Sequence, residues 1–293
     1  MNLAQLKTTA AAIVANAKGI LAADESTGTI AKRFASINTE NTEANRQAYR
    51  QMLFTTPGAN EFIGGVILFE ETLYQSTDAG VPFAKLLADQ GSIPGIKVDK
   101  GVKPLPNAHA DETITEGLDG LGERLAKYYE AGARFAKWRA VITIGDGIPS
   151  DYCIHVNAHA LARYAALCQA NNIVPIVEPE VLMDADNTIE VCEDVTRRVL
   201  KATFAELAKQ QVALEGILLK PNMVISGKKC PVQATPQAVA ERTLAVLKEC
   251  VPASVPGIVF LSGGQSDELA TEHLDIMNKL GKAAGGLPWA LSY

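Results

Sequence analysis

"GILAADESTGTIAKR", residues 19–33, opens on a short apolar run, breaks at Asp24 into hydroxyl residues and a glycine, and leads into what should be a helix. A strand that ends in a carboxylate and hands over to a helix is one βα unit. Further short apolar, β-branched runs bounded by Gly, Pro, Asp or Glu recur along the chain. Counting the first, they stand at residues 19–24, 63–69, 95–99, 135–142, 173–178, 214–220, 258–262 and 289–293, and such runs read as strands. Between them, residues 121–133, 155–171, 194–210 and 236–250 carry apolar side chains at i, i+3 and i+4, the spacing of a helix with one buried face. Strand and helix alternate at intervals of roughly 30 to 45 residues, the length of a βα unit in a parallel sheet. Eight strands favour closure into a (β/α)8 TIM barrel over an open doubly wound sheet. No GxGxxG follows the first strand, as a dinucleotide-binding sheet would require. There is no low-complexity segment and no interdomain linker. Residues 1–293 are therefore expected to form one barrel domain, with an N-terminal helix over about residues 1–17.

The two ends need separate readings. Lys7, the small apolar run after it and the Ala15-Asn16-Ala17 triplet loosely imitate a signal peptide. The run is rich in alanine rather than leucine, however, and Leu3, Leu6, Ala10, Ile13 and Val14 share one helical face. Cleavage there would also cut just before the first strand, so a helix is expected instead. At the other end the sequence stops inside the eighth strand, and the barrel is expected to lack its final helix. Such a helix would bury apolar surface worth about 10 kcal/mol, comparable with the stability of a whole domain. A chain ending at Tyr293 is therefore expected to be destabilised, a truncated form of a longer barrel.

Composition excludes several function classes. At 47% hydrophobic residues the chain can bury a large core. A net charge of -6 and a pI near 5.4 offer no basic field for nucleic acid or an anionic membrane. No run of 18 apolar residues is present to span a bilayer. Cys153, Cys168, Cys192, Cys230 and Cys250 are odd in number, widely spaced and without a CxxC pair. They predict neither a disulfide framework nor structural zinc, and a reducing, cytoplasmic setting. An anionic substrate would need a local cluster of cations.

Such a cluster is visible at the strand ends, where a barrel keeps its reactive side chains. The first strand ends in Asp24, the third carries Lys97 and Asp99, and the fourth carries Lys137 and Arg139. The fifth carries Glu178 with Glu180 beyond it, and the sixth ends in Lys220. Each pair stands at i, i+2, which points both side chains to the same face of a strand. A single charge of this kind is usually solvated at a loop start. A set repeated at the same end of five strands is harder to dismiss, because a buried unpaired charge costs several kcal/mol. Close cations and desolvation can lower an ammonium pKa from its ordinary value near 10.4 toward ~8, freeing an amine that attacks carbonyls. Spacing does not decide which of Lys97, Lys137 and Lys220 is that nucleophile.

Two further stretches suit phosphate. "DESTGTI" places Ser26, Thr29 and their neighbours at a helix N-terminus. "LSGGQS" places Ser262 and Gly263 after the seventh strand, where barrels often bind phosphate. Alone, either reads as a helix cap or a turn; together at one barrel mouth they suit a substrate phosphorylated at both ends. Metal chemistry has less support. His155 and His159 stand at i, i+4 on a predicted helix, without HExxH or a third ligand, while His109 and His273 are isolated. No GxSxG elbow is present, and neither metal nor cofactor is expected.

The stretches "GILAADESTGTIAKRFASINTENTEANRQAYRQMLF", "GGVILFEETLYQ", "GIKVDKGV", "FAKWRAV", "ARYAALCQANNIVPIVEPE", "LEGILLKPNMV" and "FLSGGQS" together resemble, in order and spacing, the class I fructose-bisphosphate aldolases of the eukaryote-like branch. The resemblance runs from about residue 18 to the end. It implies a lyase that cleaves fructose 1,6-bisphosphate through a lysine Schiff base, acting on phosphorylated ketose and aldose as a homotetramer. By motif, Lys220 of "LLKPN" would form the imine at C2, and Glu178 of "VEPE" would serve as acid and base in carbinolamine dehydration, with Glu180 beside it. Lys137 of "FAKWR" would sit close to Lys220 and keep its pKa low. Asp24 of "AADEST" would take the C4 hydroxyl proton. Ser26, Thr29, Lys97 and Arg139, with Arg33 and Lys32 nearby, would surround the 6-phosphate, and Ser262 and Gly263 the 1-phosphate. Thr29 stands where many family members carry serine; its hydroxyl keeps the donor.

The family continues its eighth strand into a Ser-Tyr-Gly-Arg stretch and a mobile tail with a tyrosine, neither of which is present here. Losing a bidentate arginine contact to phosphate costs about 2 to 4 kcal/mol, so a chain of this length is expected to be weakly active or inactive. Two rival readings remain: a Schiff-base barrel acting on singly phosphorylated sugars, such as a transaldolase or deoxyribose-phosphate-type aldolase, and a non-catalytic scaffold.

Overall fold

Alternation along Phe135–Ile142 shows how the chain is arranged. In the computed structural model, which describes residues 1–293, Phe135 belongs to an inner apolar cluster. Ala136, Trp138 and Ala140 belong to an outer one. Successive strand side chains point to opposite faces, so the inner set continues through Lys137 and Arg139. The same two-residue period carries Gly95 to Lys97, Ile176 to Glu178 and Glu180, and Leu218 to Lys220.

The strands are β1 (Gly19–Ala23), β2 (Ile63–Leu68), β3 (Ile93–Lys97) and β4 (Phe135–Ile142), then β5 (Val174–Val181), β6 (Leu218–Leu219), β7 (Gly257–Val259) and β8 (Ala290–Ser292). They are hydrogen-bonded in sequence order in one sheet, and every pairing is parallel. The sheet curls round until the Ile20 N–H donates to the Tyr293 carbonyl at 2.6 Å, bringing first and last strands together. This is a (β/α)8 barrel.

Parallel strands need crossovers, and these are helical. An N-terminal helix α1 (Leu3–Ile13) precedes β1; α2 (Thr27–Ala35) and α3 (Glu43–Phe54) join β1 to β2; α4 (Glu70–Leu73) and α5 (Phe83–Asp89) join β2 to β3. One helix precedes each later strand: α6 (Leu121–Glu130), α7 (Asp151–Ala170), α8 (Ile189–Lys209), α9 (Pro236–Cys250) and α10 (Asp267–Ala283). Ser26, Thr42, Ser150, Thr235 and Ser266 each accept a hydrogen bond from the amide three residues on, which sets where five of these helices start.

The core lies in two places. Between strands and outer helices, Trp138 stacks on Tyr164 of α7 with ring centroids 5.5 Å apart, and the Tyr164 hydroxyl donates to the Ala136 carbonyl at 2.7 Å. At the amino ends of the strands, α1 closes the barrel floor: Leu6, Ala10, Ile13 and Val14 pack with Ile67, Phe135, Val174, Ile176, Leu218 and Val259. Gly95 makes that floor possible, since a β-carbon there would lie 2.3 Å from the Phe135 ring. No helix is long and apolar enough to cross a membrane.

Several boundaries differ from the sequence expectation. The predicted strand 214–220 shrinks to Leu218–Leu219, because Leu214–Gly216 turns as a 3₁₀ helix. There Gly216 packs closely against Leu6 of α1 and Gln169 of α7. β3 begins two residues earlier than predicted, and β5 extends to Val181, paired along its length with β4. An antiparallel hairpin, Val102–Pro104 with Thr113–Thr115, was not foreseen. Its strands are too short to show a period; Thr115 Oγ1 anchors it by donating to the Arg139 carbonyl at 2.7 Å.

Candidate active site

The inward period places charges above the apolar floor. Lys97 and Lys137 are register partners on β3 and β4, and Arg139 faces Glu178 across β4 and β5. Lys220 follows β6 with its amide bonded to the Val177 carbonyl at 2.8 Å, which sets it beside Glu178. Asp24 follows the last residue of β1. The barrel mouth thus gathers residues that are far apart in the chain.

Four cations meet four carboxylates there. Lys220 Nζ lies 2.6 Å from Glu178 Oε1, and Lys137 Nζ lies 2.7 Å from Asp24 Oδ2 and 3.8 Å from Glu178 Oε2. One carboxylate, Glu178, therefore stands between two ammonium groups. Lys97 pairs with Asp99 at 3.4 Å, and Arg139 with Glu180. Lys137, Glu178 and Glu180 are buried. The ring is formally neutral, which is how so many charges can be withdrawn from water.

Their protonation follows from these neighbours. Burial pushes the Asp24 carboxyl up, but Lys137, by charge and by hydrogen bond, together with Lys220 and Lys97, outweighs it and holds the acid below its usual value. Burial likewise disfavours the charged form of Lys137, yet Glu178, Asp24 and Asp99 hold its ammonium above the ordinary lysine range. Lys137 is a fixed cation.

The remaining expected site residues follow β1 and β7, beyond the carboxyl ends of those strands. Ser26 caps α2, its hydroxyl 3.1 Å from that of Thr29. Arg33 is turned to Glu25 at 2.8 Å and is largely exposed, and Lys32 lies beside it on α2. Ser262 and Gly263 form part of a tight turn after β7. His155 and His159 lie in the outer layer facing Glu206 of α8, with His159 Nδ1 3.1 Å from its carboxylate. All five cysteines are free and buried.

The family described as fructose-bisphosphate aldolase class-I matches residues 5–293. The chain belongs to the class I fructose-bisphosphate aldolases. It is 59% identical over 293 residues to the probable fructose-bisphosphate aldolase class 1 of Xanthomonas campestris, covering all of this chain and 86% of that protein. It is 55% identical over 289 residues to cytosolic fructose-bisphosphate aldolase 4 of Arabidopsis thaliana, covering 99% and 72% respectively. A co-crystal structure of the Plasmodium falciparum aldolase with TRAP and a small-molecule inhibitor superposes with a TM-score of 0.96 at 53% identity, over 99% of this chain and 83% of that one. Class I aldolases carry out the reversible, metal-independent cleavage of fructose 1,6-bisphosphate to dihydroxyacetone phosphate and glyceraldehyde 3-phosphate through a lysine Schiff base, and this is the reaction of the chain.

Two residues that brace the candidate site escaped the sequence reading. Arg50, only 2% exposed, reaches from α3 to Glu25, with Nη1 2.5 Å from Oε2 and Nη2 donating to the Glu25 carbonyl at 3.1 Å. The contact pins the backbone next to Asp24. Glu25 was visible in "AADEST", but its partner lies 25 residues on, and one charge within a polar helix gives no local signal. Gln265 was likewise read only as part of a turn; its side chain donates to the Ser262 carbonyl at 2.8 Å and accepts from His273 Nδ1 at 2.6 Å.

Proposed function

We propose that Lys220 is the Schiff-base lysine. The supporting observation is its pairing at 2.6 Å with Glu178, a buried carboxylate placed to take its proton. Lys137, by contrast, is held as ammonium by two carboxylates, and Lys97 stands to one side with Asp99. The free amine of Lys220 attacks C2 of the open-chain ketose. Glu178 returns a proton to the carbinolamine oxygen, water leaves, and an iminium forms, with Glu180 alongside and paired to Arg139. The Lys137 ammonium, between Asp24 and Glu178, is the fixed cation of the site.

Asp24 then accepts the proton of the C4 hydroxyl. The C3–C4 bond breaks, its electron pair flows into the iminium as an enamine, and glyceraldehyde 3-phosphate departs. Protonation at C3 and hydrolysis release dihydroxyacetone phosphate. Ser26, Thr29, Lys97 and Arg139 receive the 6-phosphate, with Arg33 at the edge, and Ser262 and Gly263 receive the 1-phosphate. The chain acts in the cytoplasm as a homotetramer, readings whose checks are fractionation and light scattering.

The decisive test is reduction with sodium borohydride in the presence of dihydroxyacetone phosphate, followed by peptide mapping. The expected outcome is one covalent adduct on the peptide containing Lys220, abolished in Lys220→Arg. An adduct on Lys137 or Lys97 instead would reassign the nucleophile.

A further inference from the structure

Residues 262–265 form a tight turn closed by the Gln265 N–H, which donates to the Ser262 carbonyl at 3.1 Å. Gly263 and Gly264 have φ of 61° and 85°, values that glycine adopts without steric cost. The amides of Ser262, Gly263 and Gly264 donate to no acceptor in the protein. The Gln265 side chain, held by His273 of α10, fixes the Ser262 carbonyl and hence the direction of those amides.

Lys228, in the segment after β6, arrives at the same place. Its backbone N–H donates to the Met183 carbonyl at 2.7 Å, and its side chain lies over the turn, so that a β-carbon on Gly264 would stand 2.5 Å from Nζ. Glycine at 264 thus serves both the positive φ and the approach of an ammonium. The only carboxylate on Lys228 is Asp184 at 3.0 Å, and both side chains are substantially exposed, at 43% and 63%. An exposed pair of this kind is weak and readily exchanged for a stronger anion.

Free amides and a lysine converging on one turn form a receptor for a phosphate monoester. We infer that Lys228 is a further substrate-binding residue, supplying the ionic contact to the phosphate on C1 of the ketose at the Ser262–Gly264 turn. The inference rests on the proposed placement of that phosphate. It also assigns Lys228 a specificity role: it favours ketoses phosphorylated next to the reacting carbonyl over those that are not.

The test compares dihydroxyacetone phosphate with dihydroxyacetone, which forms the same imine without a phosphate. For each variant the half-saturating concentration for borohydride trapping on Lys220 is measured with both compounds, and their ratio is the readout. Lys228→Gln is expected to reduce the preference for the phosphorylated compound about tenfold, the size of one charged contact at a partly exposed site. Lys228→Arg is expected to restore most of it. An unchanged ratio in Lys228→Gln, or equal weakening with both compounds, would overturn the inference. Gly263→Val, which strains the turn itself, separates this failure from a wider one. If it lowers the ratio while Lys228→Gln does not, the phosphate stays on the turn without Lys228. If neither variant lowers it, the turn is not the phosphate site.

Discussion

At the scale of single residues, the barrel mouth is governed by compensation between burial and charge. Asp24 shows the sign of the balance. Its carboxyl is held below the ordinary aspartate range because burial, which raises it, is outweighed by Lys137, Lys220 and Lys97. A depressed acid contributes stability that is complete above about pH 4 and is lost as pH falls through its folded value. Lys137 behaves oppositely: held above the ordinary range, it contributes fully at neutral pH and loses that contribution only above about pH 10. Asp24→Asn should therefore lower the melting temperature at pH 7 but flatten its decline below pH 4, as followed by circular dichroism. An acid limb as steep as the wild type's would show that Asp24 does not carry this linkage. The charges themselves were legible in the sequence, because i, i+2 spacing on a strand defines a face. Their pairing was not: nothing local in "FAKWR" says that Lys137 chooses Asp24 and Glu178, or that Arg139 chooses Glu180.

At the scale of elements, the strands were legible wherever an apolar run reached its full length, as at Phe135–Ile142 and Ile63–Leu68. They were misread where another element competes for the same residues. Leu214–Gly216 looks like strand in isolation and becomes a 3₁₀ turn because α1 and α7 pack there. The sequence likewise shows Gly95 as a strand glycine without revealing its purpose, which is room for the Phe135 ring. Gly95→Ala should destabilise the protein by roughly 2 kcal/mol through overpacking in denaturant titrations, and adding Phe135→Leu should recover part of that loss. Independent, additive effects of the two substitutions would argue against contact as the cause. The turn at Ser262–Gln265 belongs to this scale too, since its conformation is held by a histidine one helix away.

At the scale of the whole molecule, opposite ends of one barrel do different work. The amino-terminal end is closed by α1 with apolar contacts, while the carboxyl-terminal end gathers the charges, so a protein of net charge -6 still carries a local cluster of cations there. Leu6→Ala, at the floor, should therefore cost about 3 kcal/mol in urea unfolding while leaving trapping on Lys220 per folded molecule intact. Loss of trapping in the folded variant would mean that floor and mouth are coupled. The sequence by itself determined the number and order of the βα units, the face each strand charge occupies and the family, because periodicity and motif spacing are local properties that survive in a string of letters. Tertiary structure alone decided which cation meets which carboxylate, that Arg50 anchors Glu25, that α1 seals the floor and that Lys228 lies over Gly264. Those outcomes depend on distances between segments tens to hundreds of residues apart, which only the curvature and register of the closed sheet convert into contacts.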